Sequence, residues 1–147
     1  MKPSIIASAI LLTLATTSVM AACPATGLTG SAIVSLVSGK YACATDPNGS
    51  DTWNELHQGA GLGPSNIEDY KKGPNDPVDP SKVVGTYAIS NGANPDTITY
   101  NYGDPGGPYQ YVVNQTFNPN PGAPVTYMFC DVRSSKTFVV IISPSHC

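Results

Sequence analysis

Val83-Val84-Gly85-Thr86-Tyr87-Ala88-Ile89, Thr97-Ile98-Thr99-Tyr100-Asn101-Tyr102, Tyr109-Gln110-Tyr111-Val112-Val113, Val125-Thr126-Tyr127-Met128-Phe129-Cys130 and Phe138-Val139-Val140-Ile141-Ile142 follow one another within residues 82 to 142. These β-branched and aromatic runs fit a pleated, half-buried surface. The segments between them are dense in Gly, Pro, Asn and Asp, among them Asn91 to Asp96, Gly103 to Pro108, and Asn118 to Pro124. Such residues supply positive φ, fixed φ or local side-chain turns, so each segment reverses the chain. The expected fold is mainly β: a small antiparallel meander sheet or open barrel.

The side-chain period assigns faces. Ile98, Tyr100 and Tyr102 share one face of the second run, and Tyr109, Tyr111 and Val113 share one face of the third. One polar face per strand predicts half-exposed middle strands, as antiparallel sheets allow. The last run is apolar on both faces, which predicts the most buried strand of all.

Upstream, Lys2, an apolar run from Ile5 to Ala15, and small residues ending at Ala22 have the three parts of a secretory signal peptide. The expected division is a signal peptide over residues 1–21 and one β-rich domain over 22–147. The apolar run is too short for a stable membrane anchor, and no later stretch is long enough. The expected location is therefore secreted, periplasmic or cell-surface. Met20-Ala21-Ala22-Cys23 loosely matches a lipoprotein cleavage box, but lipid on Cys23 would leave three cysteines in an oxidising compartment. Free secretion is the favoured reading.

Four cysteines, Cys23, Cys43, Cys130 and Cys147, imply two disulfides in an exported chain. Three connectivities are open. Proximity in sequence favours Cys23–Cys43 with Cys130–Cys147; the rival considered is Cys23–Cys147 with Cys43–Cys130. No short ligand spacing points to zinc. Without Lys2 the chain carries fewer basic than acidic residues, for a net charge of about −4. No basic patch is present, which excludes nucleic acid and anionic membrane surfaces as expected partners.

Between Leu28 and Ala44, Ile33, Leu36 and Val37 have helical spacing and Gly39 ends the run. This predicts a short helix followed by a strand from Lys40. Residues 59 to 80, rich in Gly, Pro, Asn and Asp, read as one long connection.

Candidate binding residues come from two places. In Trp53-Asn54-Glu55-Leu56-His57, a strand would point Trp53, Glu55 and His57 the same way. A carboxylate beside an imidazole can serve as an acid–base pair or part of a metal site. The blander alternative is an anchoring Trp with a solvated Glu and His. In Asp69-Tyr70-Lys71-Lys72-Gly73-Pro74, Tyr70 could anchor a partner while Lys71 and Lys72 meet an acidic group; otherwise the loop is a proline-stiffened connector. Asp76 and Asp79 lack the pattern of a calcium loop. The chain contains no Gly-x-Ser-x-Gly elbow, nucleotide-binding loop or His-Glu-x-x-His motif. No catalytic residue, metal or cofactor is assigned. The tyrosines on the runs form either a flat surface for a sugar or protein, or cross-strand pairs that stabilise the sheet.

Val84-Gly85-Thr86-Tyr87 resembles the Gly-x-Trp start of calycin-type barrels, with Tyr in place of Trp. That resemblance implies a barrel with an internal ligand cavity. The roughly sixty residues that follow are fewer than an ordinary eight-stranded barrel uses, which predicts a partial barrel. Trp53-x-Glu55-x-His57, Asp69 to Pro74, Asp76 to Pro80 and Val84 to Tyr87 together look like small exported bacterial proteins without an assigned activity. The expected function is an exported, non-enzymatic binding or surface-interaction module for a protein, glycan or small ligand. The alternatives are a small-ligand binder in a partial calycin-like barrel, and a hydrolase or metal enzyme around Glu55 and His57.

Overall fold

The computed structural model describes residues 23–45, 52–70, 81–117 and 120–147. The signal-peptide and lipobox expectations, and those on Lys71, Lys72, Asp76 and Asp79, lie outside these residues. The described chain is one helix and eight strands: α1 (Gly30–Val37), β1 (Tyr41–Thr45), β2 (Thr52–His57), β3 (Ser65–Asp69), β4 (Lys82–Ile89), β5 (Ile98–Asn101), β6 (Tyr109–Gln115), β7 (Thr126–Asp131) and β8 (Thr137–Ser143). All neighbours pair antiparallel in sequence order, and β1 pairs with β8. The meander therefore closes into a barrel rather than staying open.

The expectation of a partial barrel counted strands only from Val84 onward. Three of the eight strands precede that point. One of them, β3, lies inside the stretch read as a single long connection, where Ile67 is its one apolar residue and its one fully buried side chain. The last strand also departs from expectation. Val140 is buried, but Val139 and Ile141 are 55% and 36% exposed. Closure makes every strand two-sided, so β8 turns one apolar row outward despite its composition.

Both disulfides differ from the favoured pairing and from its rival. Cys23 bonds Cys130 and Cys43 bonds Cys147, with Cα separations of 5.6 and 5.7 Å. Proximity in sequence misleads because each bridge joins one end of the chain to the other through tertiary packing: Cys43–Cys147 beside the β1–β8 closure, and Cys23–Cys130 where the N-terminal segment crosses the outer wall. Cys43 sits between the buried, inward Ala42 and Ala44, so it faces outside. There it clamps the C-terminal tail beside the β1–β8 seam. Cys130 likewise alternates with inward Phe129 and fastens the N-terminal segment to the outer wall. That segment runs close over β6: Leu28 donates to the Val113 carbonyl at 2.8 Å.

Helix α1 closes one end of the barrel. Thr29 caps it, its hydroxyl accepting from the Ala32 amide at 3.3 Å. The buried Asp96 carboxylate accepts from the Gly30 amide at 2.7 Å, and that bond holds its pKa below the ordinary carboxylate value. Only glycine fits here, since a Cβ on Gly30 would lie 2.1 Å from the Ser90 carbonyl oxygen. Gly39, at φ 67°, ends the helix and returns the chain into β1. Ile33 and Val37, fully buried, join Ile67, Tyr87, Ile89, Ile98 and Val113 in the core. Each of the two contributes roughly 1.5–3 kcal/mol by leaving water. Among the described residues no helix is long and apolar enough to cross a membrane. The two disulfides are compatible with an extracellular location.

Candidate functional site: the barrel interior

Alternation along β2 sends Glu55 and His57 inward, where they are 8% and 0% exposed. Alternation along β5 and into the residue after it sends Tyr100 and Tyr102 inward from the opposite wall. The Tyr102 hydroxyl donates to Glu55 Oε1 at 2.7 Å. One rung deeper, His57 Nε2 and the Tyr100 hydroxyl share a hydrogen bond of 2.9 Å. β2 and β5 are not neighbours in the sheet. These are thus cross-barrel bonds, and they bring together two side chains from a sequence motif with two from a distant tyrosine stripe.

Above the helix-plugged end lies a cavity of about 330 Å³. Ala42 and Ala44 of β1 leave the space; Tyr100, Tyr102, Tyr109, Tyr111, Phe129 and Phe138 wall it. Their rings form a continuous lining, with Tyr100 and Tyr111 edge-on at 5.7 Å and Tyr111 and Phe138 edge-on at 5.9 Å. Tyr102 lies parallel to Tyr100 at 6.2 Å. The tyrosine stripe is an interior surface, and the half-exposed middle strands expected from alternation have their wet face outside.

The mouth is set by two turns braced against each other. Asp131 accepts from the Arg133 and Ser134 amides and shapes the β7–β8 turn. The Arg133 guanidinium reaches the β5–β6 turn, donating to the carbonyls of Gly106 and Pro108. It also sits over the Tyr109 ring, 5.8 Å from the centroid. Tyr109 donates its hydroxyl to Asp104 Oδ2 at 2.7 Å.

Burial dominates the electrostatics. It raises the Glu55 pKa to about 7, a rise that the Tyr102 hydrogen bond opposes and the nearby Asp69 charge reinforces. It lowers His57 to about 4, so the imidazole is neutral at neutral pH. Tyr100 and Tyr102 are pushed far above the ordinary phenol value, chiefly by burial and then by the Glu55 charge. Glu55 is thus a buried carboxyl that holds or releases a proton near neutrality.

The other candidates lie elsewhere. Trp53 belongs to β2 opposite Ala44, but its side chain is outside the described residues. Tyr70 follows β3 and is half-buried on the outside of the barrel, stacked on His146 at 4.0 Å. His146 meets Tyr41 edge-on at 4.6 Å, beside the Cys43–Cys147 bridge. Tyr70 therefore helps hold the C-terminal tail and is no part of the cavity. No group of three or more His, Cys, Asp or Glu side chains converges as a metal site among the described residues.

Sequence reasoning missed Ala42, Ala44, Phe129, Phe138 and Asp104 as cavity residues. The alternating small pair on β1 was the available signal for a hollow, because small residues facing large ones leave room. Comparison with protein families, curated proteins and solved structures finds no match for this chain.

Proposed function

We propose that this protein is an exported, non-enzymatic binder that holds a small ligand inside its barrel. The observation that carries this reading is the aromatic cavity of about 330 Å³ with a buried carboxyl at its wall. Ligand pockets are concave, mainly apolar and furnished with few polar groups, and their usual range starts near 300 Å³. The ligand is correspondingly small. The eight-stranded closure supports the calycin-like alternative over a surface module, although that fold analogy by itself assigns no ligand. Export rests on the signal-peptide pattern and on two disulfides compatible with an oxidising compartment.

Hydrolysis is the weaker reading. The Glu55 and His57 side chains each bond a tyrosine, and among the described residues no Ser, Thr or Cys side chain hydrogen-bonds to either.

The test uses the neutral fluorophore N-phenyl-1-naphthylamine. It should brighten and saturate on the native protein. Ala44→Phe, which projects a ring into the hollow, should weaken binding at least tenfold while the protein remains folded by circular dichroism. Binding that survives a folded Ala44→Phe would place the site on the outer surface.

A further inference from the structure

The charged groups among the described residues lining the cavity are of one sign, with the Arg133 guanidinium outside them at the mouth. Among the eleven described residues that line it, two are acidic, Glu55 and Asp104, and none is basic. Glu55 is 8% exposed and Tyr102 is its hydrogen-bond donor across the barrel. Six of the other nine described lining residues are aromatic. Aromatic faces attract cations through the ring quadrupole, most strongly where water is excluded. The Arg133 guanidinium, held over Tyr109 at the mouth, already shows a cation resting on this aromatic group. A cation brought into such a space needs a counter-charge to offset its lost hydration. Glu55 is placed to provide it.

From this juxtaposition of an aromatic cage and a buried carboxyl, with no basic side chain among the described lining residues, and resting on the ligand-binding reading above, we infer that the cavity takes a small aromatic amine, with its ammonium group on Glu55 and its ring among the tyrosines. A carboxylate ligand would find only acidic groups and no basic partner among the described lining residues. A neutral ligand would gain the ring contacts only. Binding exchanges one proton for the ligand's positive charge: the Glu55 carboxyl loses its proton to solvent, and the ammonium hydrogen-bonds to the carboxylate that remains. The groups facing Glu55 are Asp69 on β3, Tyr100 and Tyr102 at β5 and Tyr111 on β6, while β1 presents Ala42 in register with it. Burial keeps the tyrosines neutral, and the Asp69 charge that raises the Glu55 pKa favours a cation. Glu55 titrates near 7, so the exchange releases close to one proton at pH 6 and almost none at pH 8.5.

Three near-isosteric probes separate the contributions: tryptamine (cation), tryptophol (neutral) and indole-3-propionate (anion). Calorimetry on the full folded protein should find tryptamine at least tenfold tighter than tryptophol, with the anion weakest. Repeating the pH 6 titration in two buffers of different ionisation enthalpy should count about one proton released per tryptamine and none per tryptophol. Glu55→Gln should bring tryptamine down to the level of tryptophol. If that variant fails to fold, the proton count on the native protein decides. Tryptamine binding no tighter than tryptophol, or without proton release at pH 6, overturns the inference. Saturable N-phenyl-1-naphthylamine binding alongside that outcome leaves the small-ligand reading standing. Loss of both overturns both.

Discussion

Glu55 and Tyr102 are joined across the hollow of the barrel by a 2.7 Å hydrogen bond between strands that do not touch in the sheet. The bond stabilises the ionised carboxylate against a burial that disfavours it. Removing the hydroxyl leaves burial and the Asp69 charge unopposed. Tyr102→Phe should therefore raise the Glu55 pKa above its value of about 7. Carboxyl-carbon NMR of Glu-labelled protein, titrated from pH 5 to 9, measures this directly. An unchanged or lower midpoint would mean that the bond does not set the acidity.

The two rungs should act on stability in opposite directions. Glu55 goes from 4.5 unfolded to about 7 folded, so the native state binds the extra proton between those values. Its contribution is greatest below pH 4.5 and is lost as pH rises through 7. His57 goes from 6.5 to about 4, so the unfolded state binds the extra proton. Its contribution is complete above pH 6.5 and is lost as pH falls through 4. Each swing is on the order of 3 kcal/mol, and between roughly pH 4.5 and 6.5 they nearly cancel. Urea midpoints of the native protein should be almost flat there. Glu55→Gln should show stability rising with pH over that window, and His57→Gln should show it falling. Flat profiles in both variants would refute the opposition.

Non-reducing peptide mapping should recover Cys23 linked to Cys130 and Cys43 linked to Cys147, with no free thiol. Each bridge spans more than a hundred residues, at separations of 107 and 104. Removing one as a Cys→Ser pair should cost about 2–5 kcal/mol. The Cys43→Ser, Cys147→Ser variant should also free the tail that carries His146, exposing Tyr70 and Tyr41 to solvent. Tyrosine accessibility by solvent-perturbation spectroscopy reports on that release. A tail still packed after this bridge is lost would show that the rings, not the sulfurs, hold it.

How much of this could be read from residues alone follows from which contacts are local. The inward row Ile98, Tyr100, Tyr102 was legible because alternation is a property of one strand. The helix, its Gly39 stop and the strand after it were legible for the same reason. β3 was not, since Ser65-Asn66-Ile67-Glu68-Asp69 holds one strong strand former and depends on β2 and β4 for its shape. Closure, the exposed row of β8 and the Cys43–Cys147 bridge rest on the β1–β8 pairing, and the Cys23–Cys130 bridge on the N-terminal segment lying over β6 and β7; both join opposite ends of the chain. The site divides in the same way. Glu55 and His57 stood out as a pair, but their partners lie 47 and 43 residues away. Tyr70 had the composition of an exposed anchor and is instead occupied by His146.

The interleaving of the bridges sets a problem of timing. A ribosome extends the chain by about 5–20 residues per second, so Cys23 waits roughly 5 to 20 seconds before Cys130 exists. Cys43 waits about as long for Cys147. Once Cys43 is made and until Cys130 follows, the two early thiols have only each other, and the short loop between them closes most readily. The easiest first bond is therefore a wrong one. Cys43 meets Cys147 only when the last strand lies down beside the first, and Cys23 meets Cys130 only when the N-terminal segment lies over β6 and β7, so correct oxidation waits on the assembled wall.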